Sequence, residues 1–265
     1  MAVIKISHPP SHEFWEIEVL YEDEHMVALN KPGRLLTSPD RDNPDRPSLM
    51  GLAHKCIQEG KPWAAERGLT YLMNACRLDY ETSGVLLLAK SKPTLVALAN
   101  LFGSEKPLAH YVTIAQGAPA EDKFEVTANL APHPTKPGLV HVDLKRGKRS
   151  RTLFEVVERF NGWTLMRCTP LTARRHQVRV HLKQVRLPVA GDAEYGGTRL
   201  LLSRIKPNFW LKPKQTEKPL LDRPAIHLDT VEVAHPVTGA ALHLEAPLPK
   251  DLVVALKYLR KYAAG

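Results

Sequence analysis

From Asp79 the chain reads Asp-Tyr-Glu-Thr-Ser-Gly-Val-Leu-Leu-Leu-Ala, and this run constrains the fold more than any other segment. Thr82-Ser83-Gly84 is turn chemistry: hydroxyls that bond nearby backbone, then a glycine free of side-chain clash. The apolar residues behind it read as a strand buried on both faces. A carboxylate, Asp79, therefore stands at the entrance to a core strand, where it must be hydrogen-bonded or paired to stay ionised. Arg77, two positions earlier, shares its side if the segment is extended. These residues alone leave two readings open, a catalytic aspartate or a structural Arg–Asp pair at a turn.

The first 16 residues hold two prolines and no clear period, and read as an N-terminal arm before one domain of two lobes over 17–265. From Ile17 the pattern predicts two short strands around an acidic turn, and residues 37–47, with three prolines, a loop. Helices are expected over 50–57, over 93–102, where Leu95, Leu98, Ala99 and Phe102 recur at helical spacing, over 175–185, and over an amphipathic 252–259. Strands are expected over 110–115 and 139–144, and Asn161-Gly162 marks a hairpin between 152–160 and 163–168. Many strands with few interspersed helices predict an α+β fold, a mostly antiparallel mixed sheet with flanking helices and loops.

Lys and Arg outnumber Asp and Glu by 37 to 28, a net charge of +9, which points to an anionic partner, nucleic acid first. Three cysteines cannot all pair within the chain and lie too far apart for a CxxC metal site, so free thiols and a cytoplasmic setting are expected. His176 and His181 are five apart, a spacing that does not stack two ligands on a helix, and no metal is expected. No apolar run approaches the roughly 20 residues of a membrane-spanning helix. Nothing in the pattern implies a membrane or a protein partner, and a monomer is expected.

The positive charge gathers in three places. At about 100° per residue, Arg175, Arg179, Lys183 and Arg186 fall within about 80° of one another, a cationic stripe beside an apolar one of Val178, Leu182 and Val185. Arg174 falls near the apolar edge and is a candidate to point inward at Asp79. Lys145, Arg146, Lys148, Arg149 and Arg151 cluster where a loop enters a strand, a placement suited to phosphates. Residues 206–214 mix three lysines and two prolines with Phe209 and Trp210, either a surface that stacks unpaired bases or a loop anchored to the core by its aromatics.

Taken together, Cys76-Arg77-Leu78-Asp79 with Thr82-Ser83-Gly84, the upstream Asn30-Lys31-Pro32-Gly33, the downstream Arg174, His176-Gln177 and Val178-Arg179-Val180-His181-Leu182, then Gly191-Asp192, Tyr195-Gly196-Gly197 and His235-Pro236 resemble the RluA family of pseudouridine synthases across nearly the whole chain. The resemblance implies the pseudouridine synthase catalytic fold and isomerisation of uridines in structured RNA, either tRNA or rRNA, with no cofactor. The N1–C1′ bond breaks, the uracil turns, and C1′ rejoins at C5. It implies Asp79 as the essential carboxylate, Arg174 as the arginine paired with it, Tyr111 as the active-site tyrosine and Arg77 as the arginine filling the space of the flipped base. Lys31, Gln177, Arg175, Arg179, Lys183 and Arg149 are expected to support substrate binding. No S4 domain is expected, since the resemblance begins near Ile17.

The chain departs from the family pattern at Cys76, where histidine is usual, at Ala109, where lysine is usual, and at Ala173 and Arg175, in place of glycine and threonine. A Cys76–His hydrolase finds no paired base or oxyanion motif. The stronger rival is a catalytically inactive RNA-binding protein, an RNA chaperone of the same fold.

Overall fold

A computed structural model of the chain describes residues 2–40, 43–103, 108–212 and 214–265. It resolves into two compact units, one made of residues 1–109 and 228–247, the other of 110–227 and 248–265.

The first unit opens with β1 (Val3–His8), which pairs antiparallel with β2 (Glu13–Glu22). The arm expected over 1–16 is thus a strand and the start of its partner. Ile4 and Ile6 are buried while Val3, Lys5 and Ser7 face outward, a period of two over too few residues to outweigh the prolines in a sequence reading. Pro9-Pro10 form the connecting 3₁₀ turn, closed by His12 at φ 55°, whose N–H donates to the Pro9 carbonyl at 3.2 Å.

The predicted acidic turn separates β2 from β3 (Met26–Lys31). Ser48 caps α1 (Leu49–Gln58) by accepting from the Gly51 N–H at 3.2 Å, and a single turn, α2 (Pro62–Ala65), follows. Of the expected 37–47 loop, residues 41 and 42 lie outside the described residues, and the rest carries no helix and only an isolated bridge at Leu36 and Ser48 beside it. Short β4 (Met73–Asn74) precedes β5 (Ser83–Ala89), every residue of which is buried, as its apolar run predicts. The helix expected over 93–102 is α3 (Lys92–Gly103).

The second unit begins in β6 (Leu108–Gln116), followed by β7 (Lys123–Pro132), β8 (Val140–Val142), and the long hairpin of β9 (Lys148–Phe160) and β10 (Trp163–Pro170). Gly162 takes φ 78° in the hairpin turn, where a side chain would be strained. Within this unit the strand order is β6-β10-β9-β7-β8. Next comes α4 (Gln177–Gln184), then β11 (Ile226–Ala234) and β12 (Ala241–Glu245), whose residues from Leu228 belong to the first unit, and finally α5 (Lys250–Tyr262). The second unit's core gathers Phe154, Phe160, Trp163, Met166, Leu182 and Leu256 between strands and helices.

In the first unit the order is β1-β2-β3-β5-β11, with β4 beside β5 and β12 beside β11. The chain's return is locked there by His235, buried, whose ring nitrogen lies 2.7 Å from the Asp23 carboxylate. Burial pushes Asp23 up, but hydrogen bonds from Tyr21, the Met26 and His25 N–H groups and His235 outweigh it and hold the carboxyl at about 2. The acidic turn and the closing His-Pro are therefore one device.

Candidate active site

Asp79 sits on the loop between β4 and β5, and its neighbours fix that loop through backbone bonds. Leu78 exchanges two bonds with the buried Thr37 hydroxyl, at 3.2 and 2.9 Å. The Tyr80 carbonyl accepts from Arg34 N–H at 2.7 Å, and the Asp79 carbonyl from Thr82 N–H at 3.1 Å. Asp79 is half-buried on this braced turn, whereas Arg77 is exposed. Arg46 lies 3.8 Å over the Tyr80 ring, a cation–π contact that adds to the bracing.

Two motifs remote in sequence meet beneath it. Lys31 is fully buried, and its ammonium donates to the Pro32 carbonyl at 2.7 Å and to the Thr82 carbonyl at 2.9 Å. The lysine of Asn-Lys-Pro-Gly therefore clamps the Thr-Ser-Gly turn, a structural part in place of the substrate contact expected for it. Gly84, at φ 122°, carries the second constraint: a Cβ there would lie 2.0 Å from the Leu228 carbonyl oxygen, so only glycine admits the approach of β11. Burial pushes the neighbouring Cys76 thiol up to about 11, the Leu87 backbone only partly offsetting it, so the thiol stays protonated near neutrality.

In the second unit Tyr111 lies on β6 opposite Cys168 of β10, half-buried against the core. Arg174 occupies a loop tied to β9 at both ends. Leu171 N–H reaches the Arg151 carbonyl at 2.8 Å, and Arg151 N–H reaches the Thr172 hydroxyl at 3.0 Å. The buried Gln177 amide donates to the Arg151 carbonyl and the Thr152 hydroxyl, each at 2.9 Å, and accepts from Thr172 at 2.9 Å. Gln177 is a staple, not a substrate contact. Arg174 Nη1 donates to the Ala173 carbonyl at 3.1 Å, while its Nε is enclosed without a partner among the described residues.

The cationic stripe does not form. The helix starts at Gln177 because His176 adopts the left-handed region at φ 53°, so Arg175 precedes it, exposed, and Arg186, at φ 61°, lies beyond its end. Residues 177–182 are all buried, so no solvent face exists along them. Arg179 is 3% exposed and binds Asp192, 1% exposed, through two bonds of 2.6 and 2.7 Å, with a third to Glu194 at 2.7 Å. Its guanidinium also lies 4.7 Å over the Tyr195 ring. Arg179 is a buried structural cation unavailable to phosphate. Of the two stripe residues inside the helix, Lys183 stays outward, lining a cavity of about 280 Å³ with His133, His141 and Tyr195. The second basic cluster stands as read: Lys145, Arg146, Lys148 and Arg149 are exposed around the turn into β9, although Arg151 is taken by a two-bond pair with Glu125.

Sequence reading missed the network under α4. The Ser150 hydroxyl donates to the Ala128 carbonyl at 2.7 Å, so it accepts from His181 Nε2–H at 2.8 Å, leaving Nδ1 enclosed as an unprotonated nitrogen. His176 Nδ1 lies 2.7 Å from the Tyr195 hydroxyl, which accepts from Val140 N–H at 3.0 Å. Burial lowers His181 to about 4 and, helped by Arg179 and Arg175, His176 to about 3. An unfolded imidazole titrates near 6.5. Between these values the unfolded chain binds protons that the folded chain refuses, so this contribution is complete above about 6.5 and is lost as pH falls toward 4 and then 3. Urea unfolding from pH 4 to 7 is expected to show stability rising with pH, with a shallower rise in His181→Gln; equal slopes in the two proteins would contradict it.

The family model for RNA pseudouridylate synthase matches residues 25–184. The chain is 30% identical over 254 residues to a ribosomal large subunit pseudouridine synthase D of Xylella fastidiosa, covering 94% of this chain and 71% of that one. It is 28% identical to an uncharacterized RNA pseudouridine synthase of Bacillus subtilis, covering 93% and 74%. The solved structure of human RNA pseudouridylate synthase domain containing 4 superposes with a TM-score of 0.65 at 21% identity, over 91% of this chain and 92% of that one, which gives the α+β pseudouridine synthase fold. The chain belongs to the RNA pseudouridylate synthase family. It is an isomerase acting on uridine in RNA. Among the described residues no helix is long and apolar enough to cross a membrane.

Proposed function

We propose that the protein isomerises specific uridines of ribosomal RNA, with tRNA the second substrate class, as a cytoplasmic monomer whose residues 17–265 act as one catalytic domain. In this reading Asp79 supplies the carboxylate at C1′, Tyr111 and Arg174 are the other catalytic residues, and Arg77 is the group that takes the flipped base's place. The observation that carries this reading is the Asp79 loop, braced by Thr37, Arg34 and the buried Lys31 clamp so that one half-buried carboxylate is held at the mouth of a core strand. Holding a reacting group without reorganisation is what catalysis of this kind needs. Exposed Lys145, Arg146, Lys148, Arg149, Arg175 and Lys183 supply cations for phosphates. The clamp and the staple, Lys31 and Gln177, support the site by fixing its loops.

The experiment is a map of pseudouridines in total RNA from cells with and without the gene, followed by conversion of the missing sites by purified protein. Sites lost on deletion and restored in rRNA support the proposal; loss confined to tRNA selects the second class; unchanged maps, with RNA still bound, return the inactive chaperone. For Arg174, turnover in Arg174→Ala, Asp79→Glu and the double variant tests coupling. Strictly additive losses would show that the arginine serves no role through that carboxylate.

A further inference from the structure

Trp210 is 71% exposed, on the loop between the 3₁₀ turn of residues 202–204 and β11 in the second unit. An indole left in water needs a reason, since aromatic rings are normally spent on cores or interfaces. The two aromatics of this loop part company: Phe209 is half-buried and Trp210 is not.

Nor does the loop require Trp210 for anchorage. Its roots are held elsewhere. Ile205 is buried, Lys206 N–H donates to the Leu202 carbonyl at 2.8 Å, Ser203 N–H to the Glu217 carboxylate at 2.8 Å, and Leu220 N–H to the Leu200 carbonyl at 2.9 Å. Asn208 at φ 53° and Lys214 at φ 68° bend the segment on either side of the indole; Pro213 lies outside the described residues.

The surroundings are cationic. Over 204–218 stand Arg204, Lys206, Lys212, Lys214 and Lys218 against a single acid, Glu217, whose carboxylate is engaged by Ser203. Lys206 also reaches over the Tyr262 ring at 5.7 Å, beside Lys261 at 5.1 Å, so part of this charge is fixed to α5. A flat π-face isolated among cations is a poor match for an apolar protein groove and a good one for a single-stranded polyanion whose bases stack.

We propose that Trp210 is a stacking platform for an unpaired nucleobase of the substrate RNA, with the surrounding lysines holding the flanking phosphates. The inference rests on the RNA-modifying reading above and extends it to a base contact on the loop that carries Trp210. A stacked base gives up its interaction when the indole is removed, whereas the phosphate contacts survive.

The full chain is titrated with a short oligouridylate and with an abasic oligomer of equal length, following tryptophan emission and affinity in wild type, Trp210→Phe and Trp210→Ala. Expected are quenching in wild type that disappears in both variants, affinity for oligouridylate falling about tenfold or more in Trp210→Ala and much less in Trp210→Phe, and unchanged affinity for the abasic oligomer. Thermal melting should not move, because the side chain is exposed. Equal oligouridylate affinity in wild type and Trp210→Ala overturns the proposal, as does an equal loss toward the abasic oligomer. Quenching by phosphatidylglycerol vesicles with none by RNA assigns the indole to a membrane surface and overturns it too. If wild type modifies RNA in the mapping experiment while Trp210→Ala behaves identically, only the platform fails; if wild type binds no RNA, the functional reading fails with it.

Discussion

Asp79→Asn is expected to lower pseudouridine formation by about 10²–10⁴-fold or more while leaving RNA affinity and thermal stability near wild type. The change keeps the shape of the side chain, removes its negative charge and turns one acceptor oxygen into an amide donor. The loop that carries it is held through backbone atoms of Leu78, Asp79 and Tyr80, none of which the substitution touches. Single-turnover conversion of a mapped RNA, with affinity and melting measured on the same preparations, gives the result directly. An Asp79→Asn protein as active as wild type would end the catalytic assignment. One that fails to fold would instead give Asp79 the structural role of an Arg–Asp turn pair.

Arg179→Ala should destabilise the protein by about 3–5 kcal/mol, since it leaves the Asp192 carboxylate buried and unpaired. Its two bonds to Asp192 lie where water cannot replace them, whereas Glu194 is exposed enough to be rehydrated, and Tyr195 loses the cation over its ring as well. Lys183→Gln, one turn later and exposed, should change stability by no more than about 0.5 kcal/mol. Its effect should fall on RNA affinity, with the slope of log affinity against log salt flatter by about 0.7 to 0.9 for a lost phosphate contact. Urea unfolding separates the two variants. Similar stabilities for Arg179→Ala and wild type would mean that the buried pair contributes nothing, and Arg179→Met with Asp192→Leu should recover most of the loss, because an apolar pair of similar volume leaves no uncompensated charge.

What could be read locally was read correctly. The turn-then-strand of Thr82-Ser83-Gly84 and β5, the Asn-Gly hairpin, the helices α1, α3 and α5 and the α+β class all depend on propensity, short-range periodicity and turn geometry, which a single segment carries within itself. Asp79 stood out for the same reason, as a carboxylate at the edge of an apolar run. Motif order then set the reaction class, because each motif's residue types and spacing survive being read one at a time.

Where the reading failed, a partner outside the segment itself decided the outcome. Ile4 and Ile6 make a strand only because β2 is there to pair with them. A helical wheel says which residues share a face and is silent on what covers that face. Over residues 177–182 of α4 the cover comes from every side, so Arg179 lies inside with an aspartate thirteen residues away, and the helix begins only after the left-handed His176. Lys31 was likewise expected to support substrate binding, and the Thr82 carbonyl, 51 residues on, accepts a hydrogen bond from its ammonium. The sequence by itself determined most of the local elements and the family chemistry; the tertiary structure alone decided which cations stay exposed, because burial and ion pairing are set by the contacts that long-range packing brings together.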